Sequence, residues 1–132
     1  MALVMADVGE VVNLNSMLRT TTPESQTLKL YSSNTTPAEG DTAATFTESA
    51  APGYAAVALT RGTWAAAATA AGVTSTTYSQ QTFSFTGTGT IYGYFVVGTT
   101  STVLLWAELM FAGGQVFNNL DQYKLTLAME LA

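Results

Sequence analysis

The chain has 132 residues, enough for one core and short for two, and 48% of them are hydrophobic while only 10% are charged, against about a quarter in ordinary domains. Its net charge of −5 comes from nine acids set against Arg19, Lys29, Arg61 and Lys124. These cations are scattered singly, and counterion-release binding needs a cluster, so nucleic acid and anionic membrane are both argued against as partners. The chain contains no histidine and no cysteine, which removes the commonest general base, the commonest transition-metal ligand, the thiol nucleophile and any disulfide framework.

In chain order, residues 1–5 are apolar but too short, and without a basic flank, for a signal peptide or a membrane span. Residues 7–19 have Asp7 and Glu10 at capping-box spacing and Val11, Leu14 and Leu18 at helical spacing, so a short helix or an arm with a helical turn is expected. The Thr run 20–22 before Pro23 breaks the chain into extended structure. We therefore divide it into an N-terminal arm or helix, 1–22, and a β-domain, 23–132.

Residues 27–32 read as a strand with Leu28 and Leu30 inward and Lys29 and Tyr31 outward. A polar loop follows, and 43–48 reads as a short edge strand anchored by Phe46. Residues 54–60 are a further strand, ending at the corner Arg61-Gly62. The alanine run 64–72 favours helix by propensity alone. Its flanks are β-branched and it has no caps, so a strand over 63–69, a turn at Ala71-Gly72 and a returning strand over 76–86 are expected.

Residues 91–108 are the most hydrophobic stretch, two strands joined by Gly98-Thr99-Thr100-Ser101. Ile91, Phe95 and Val97 fall on one face, with Tyr92, Tyr94 and Val96 on the other. In the second strand Val103 and Leu105 oppose Leu104 and Trp106. Neither face is polar, so both should be covered, by the rest of the chain or by another subunit. Residues 110–119 read as a loop, and 122–131 as a final strand in unbroken alternation. Strands at about ten-residue spacing predict a single-domain antiparallel β-sandwich, jelly-roll-like.

No catalytic constellation emerges. Glu39, Asp41 and Glu48 lie close in sequence, but they do not match a calcium loop and read as a solvated segment. Glu108 beside Trp106 is the one acid that follows an apolar strand, and it reads as the point where the strand reaches water rather than as half of a glycosidase pair. Gly87-Thr88-Gly89 and Gly113-Gly114 lack the following Lys-Ser/Thr of a phosphate loop and read as turns. No catalytic, cofactor-binding or metal-binding residue is assigned. Trp64, Tyr92 and Tyr94, with Tyr54, remain as aromatics available for stacking on a partner, and the first three are the expected interface residues.

The order of short motifs resembles that of a group of small phage virion proteins: Leu28-Lys29-Leu30-Tyr31, Gly53-Tyr54-Ala55, a hairpin at Trp64, Tyr92 to Val96, Leu104 to Glu108, and the closing alternation from Tyr123. The resemblance covers most of the chain. It implies a structural role in the virion without cofactors, as a capsid cement (decoration) protein or as a tail or fibre component. With the low charge, the lack of catalytic groups and the two-faced apolar hairpin, the leading expectation is a homotrimeric cement protein that clamps the major capsid protein on the capsid surface, and the alternative is a tail or fibre component binding a receptor or glycan. The run from Trp64 to Ala71 is poorer in large residues than that pattern.

Overall fold

The computed structural model describes residues 3–19 and 22–131. The break expected at Thr20 and Thr21 and the side chain of Leu131 lie outside the described residues. The elements are β1 (Val4–Met5), α1 (Asp7–Leu18), β2 (Gln26–Tyr31), a 3-10 turn (Ala43–Thr45), β3 (Val57–Leu59), β4 (Ala68–Ala70), β5 (Val73–Thr77), β6 (Gln81–Ser84), β7 (Gly89–Ile91), β8 (Gly93–Gly98), β9 (Leu104–Leu109), β10 (Gln115–Phe117), β11 (Gln122–Leu125) and β12 (Ala128–Leu131). This is an all-β, sandwich-like domain, as the strand spacing predicts.

One layer is the antiparallel sheet β1-β9-β8-β2-β3. Opposite it, β5-β6 runs beside β11-β12 as a long ribbon, joined at its middle by Tyr78 N–H donating to the Leu127 carbonyl at 3.0 Å. β4 forms the ribbon's outer edge, and β7-β10 is a separate short pair. Between the layers lie Leu28, Leu30, Tyr94, Val96 and Trp106 from the first sheet, against Tyr78, Phe83, Phe85, Leu125 and Leu127.

The first sheet buries its second face too. The segment following β2 folds back over it, tied by Ser32 N–H to the Thr47 carbonyl and Ser49 N–H to the Leu30 carbonyl. It delivers Phe46, which stacks on Phe95 at 5.5 Å and packs on Tyr31 at 5.0 Å. Both faces of the central hairpin are thus covered by the chain itself. Tyr31, expected outward, is fully buried for the same reason. Phe46 is the anchor expected of 43–48, but the segment carries a 3-10 turn and a single bridge, Tyr31 to Glu48, in place of a strand.

Two irregularities change which side chains share a face. Tyr92 drops out of the strand, its carbonyl accepting from both Met110 and Phe111 N–H. Ile91 therefore joins Tyr94 and Val96 in the inter-layer core, while Tyr92 packs with Phe95 and Val97 on the other side. A register shift after Val96 lets Leu105 bulge, so Leu105 and Trp106 face the core together and Leu104 faces away. An extra residue reverses every later side chain, which strict alternation could not anticipate.

Elsewhere the alanine run forms no helix, but the expected strand 63–69 contracts to β4, with a bend at Trp64 and 65–67 outside any strand. β4 and β5 are joined across Ala71-Gly72, both at positive φ (50° and 81°), the backbone a two-residue hairpin of twisted strands requires. The expected strand 54–60 contracts to β3, and 76–86 divides between β5 and β6. The expected loop 110–119 contains β10, paired with β7. The last strand keeps its alternation but breaks at Thr126-Leu127 into β11 and β12.

Nor is the N-terminus a loose arm. β1 pairs with β9, Val4 opposite Ala107. α1 follows with Ala6 as N-cap and no side-chain cap, so the Asp7–Glu10 capping box does not form. The helix start is held by backbone contacts instead: Ala6 N–H donates to the Leu105 carbonyl at 3.2 Å and Asp7 N–H to the Glu39 carbonyl at 2.9 Å.

Candidate interaction surface

The three aromatic residues expected at an interface go to three different environments. Tyr94 is only 1% exposed; it lies inside the sandwich and its hydroxyl donates to Glu108 Oε2 at 2.8 Å. As a surface contact Tyr94 is therefore corrected: a partner could reach it only by opening the core. Tyr92 is half-buried against the second cluster. Trp64 is half-buried, donates from Nε1 to Gln26 Oε1 at 3.2 Å, and meets Tyr78 and Trp106 edge-on at 5.2 and 6.1 Å. Tyr54 stacks on Phe83 at 6.0 Å. These rings close the core rather than forming one open stacking platform.

The carboxylates are likewise engaged. Glu108 serves the Tyr94 hydroxyl, and its proximity is the second cause, after burial, that pushes the phenols of Tyr31 and Tyr123 up to about 12. Burial, then the bond to Glu108, raises Tyr94 as well. Glu48 pairs with Lys29 Nζ at 2.8 Å and accepts from Tyr54 OH at 3.1 Å. Asp41 accepts from Ala38 N–H at 2.8 Å. Among the described residues no three acids come together as a cation site. Glu24 accepts from Thr100 N–H, Ser101 N–H and the Ser101 hydroxyl, clamping the β8–β9 turn. Burial works against its charge, but the Ser101 and Thr100 donors outweigh it and hold its pKa below the ordinary value.

What stays open is the outer side of α1. Gly9 faces the sheet, while Val11, Leu14 and Leu18 are 57%, 56% and 78% exposed. Spaced i, i+3, i+7, they form one stripe pointing away from the body. Beside the stripe, Met5, Leu14, Met17, Ala67, Thr76 and Met129 line an apolar groove of about 530 Å³ between α1 and the β4-β5-β12 sheet. No described side chain of that sheet is fully buried, and the chain carries no charged residue from Gly62 to Ala107. Among the described residues lining the groove Glu10 is the charged one, and an apolar surface with so little charge is a candidate contact site.

The helical spacing of Val11, Leu14 and Leu18 was visible in the sequence, but which side of the helix meets the sheet was not. The one hint was Gly9, the single helical residue small enough for close backbone approach. Fold and surface together define an all-β, sandwich-like domain with an exposed apolar stripe on its helix. No protein-family model matches the chain, and no curated protein matches it.

Proposed function

We propose that the chain is a non-enzymatic structural protein of a phage particle, a capsid cement protein that binds the major capsid protein and itself on the capsid surface. The observation that carries this reading is the exposed apolar stripe of α1 with its adjoining groove. Such a surface is costly in water and is relieved by assembly. The low charge, the engagement of Glu108 by a buried phenol and the order of motifs along the chain support the same reading. Many weak contacts repeated over a shell give firm attachment without any one of them being strong.

The test is location and copy number in purified particles, read by quantitative mass spectrometry, with add-back to particles stripped of the protein. Copies in proportion to the major capsid protein, and restored resistance to heat, are the expected results. A copy number matching the tail would replace the cement role by a tail role, and absence from the particle would remove both. Tyr94 is enclosed, and the half-buried Trp64, Tyr54 and Tyr92 lie in separate environments, so the glycan-binding alternative has less geometry in its favour.

A further inference from the structure

Resting on the reading of the α1 stripe as an assembly contact, we propose that its occupant is α1 of a second copy of this chain, packed antiparallel across a twofold axis. The stripe is self-complementary. Val11 and Leu18 lie equally far on either side of a point between Leu14 and Asn15, so a twofold through that point sets Val11 of each copy against Leu18 of the other. The two Leu14 side chains then meet near the axis.

The charges share that centre. Asp7 and Glu10 occupy the first helical turn, Arg19 follows the last, and α1 has no basic residue in its last turn. Glu10 and Arg19 are also equidistant from the same point. In the antiparallel pair, Arg19 of one copy lies level with Glu10 and within one turn of Asp7 of the other. Among the described residues none of these three makes an ion pair, the pair present being Lys29–Glu48. A parallel pair would instead set acids beside acids. Charge complementarity thus selects both the partner and its direction.

Size sets the strength. A 12-residue helix is about 18 Å long, and its stripe alone falls well short of the roughly 800 Å² per partner of a stable interface. The groove wall at Ala67 and Met129 must contribute, and the dimer is weak, suited to a site that is completed on a crowded shell.

Sedimentation equilibrium of the full chain, from micromolar to near-millimolar concentration, should show a monomer–dimer equilibrium. Leu14→Asp should abolish it while leaving the thermal melt unchanged. Arg19→Glu should weaken it by about three- to tenfold, and Glu10→Lys added to Arg19→Glu should restore it. Because the chain has no cysteine, single-cysteine variants report direction. Leu14→Cys should cross-link to itself on oxidation. Val8→Cys should not, since the two positions are roughly 20 Å apart along an antiparallel pair, beyond disulfide reach. A monomer at every concentration, a trimer, or equal cross-linking of both variants overturns the inference. A monomer that still binds capsids leaves the cement reading standing without it, whereas a dimer of this geometry that ignores capsids does the reverse.

Discussion

A Cβ added at Gly9 would lie 2.8 Å from the Leu105 Cα and 2.9 Å from its carbonyl carbon. The helix and the bulged strand β9 touch backbone to backbone at this point, and the neighbour that would have to yield is not a flexible side chain. Gly9→Ala brings a better helix former, by about 1 kcal/mol. Overpacking against fixed backbone costs about 1–3 kcal/mol, so the clash should win. Urea denaturation should show Gly9→Ala less stable than the parent by up to about 2 kcal/mol.

Tyr94 and Trp106 are both core residues, at 1% and 2% exposed. Tyr94→Ser and Trp106→Ala should each cost about 3–5 kcal/mol of folding stability. Leu18→Ser, at a position 78% exposed, should change stability by less than about 0.5 kcal/mol. Thermal melts of the three variants check the contrast, and a mild Tyr94→Ser would mean that the sandwich opens readily at that point.

Raised phenols bring alkaline sensitivity. Tyr31 and Tyr123 titrate in the folded chain at about 12, from an ordinary 10. The folded state holds those protons longer, so their contribution is intact below pH 10 and is lost as pH rises from 10 towards 12. The Tyr123 hydroxyl is buried without a hydrogen-bond partner. Tyr123→Phe should therefore be neutral or stabilising by up to about 1 kcal/mol at pH 7, with a smaller loss between pH 10 and 12. Stability against pH for both proteins reads this directly.

Glu24 acts in the opposite direction. Its folded pKa lies below the ordinary 4.5, so its contribution is present above that value and fades as pH falls through the folded pKa. The site is partly exposed, which limits the effect to about 1 kcal/mol or less. Glu24→Gln should flatten the acid limb of the stability curve and speed hydrogen exchange at the Thr100 and Ser101 amides.

The strands were legible wherever local chemistry decided them. The alanine run 64–72 shows this in part: its β-branched flanks and the Ala71-Gly72 turn kept it from being a helix, but only its end, from Ala68, pairs as a strand. Faces were legible only as far as the first irregularity. Leu28 and Leu30 point inward as alternation requires, but Tyr92 and Leu105 each displace the chain by one position; Gly93 after Tyr92 is a local sign of the first irregularity, and Leu105 has none. Tyr31 was misplaced for a different reason, since its cover comes from Phe46 through a loop whose path depends on tertiary contacts. At the candidate surface, the stripe was readable and the aromatic contacts were not. Tyr94 and Trp64 resemble exposed aromatics until the opposite layer is in place.

The pairing of Val4 with Ala107 also orders events during synthesis. β1 can form only after β9 has left the ribosome, when most of the chain is already out. Until then α1 has no sheet to rest on, and Gly9 and Val12 are as bare as Leu14 and Leu18. The emerging polypeptide therefore exposes the sheet-facing residues of α1 as well as its outer stripe, and long-range closure of this kind is slow. The nascent chain, more than the finished protein, should be the form that chaperones recognise.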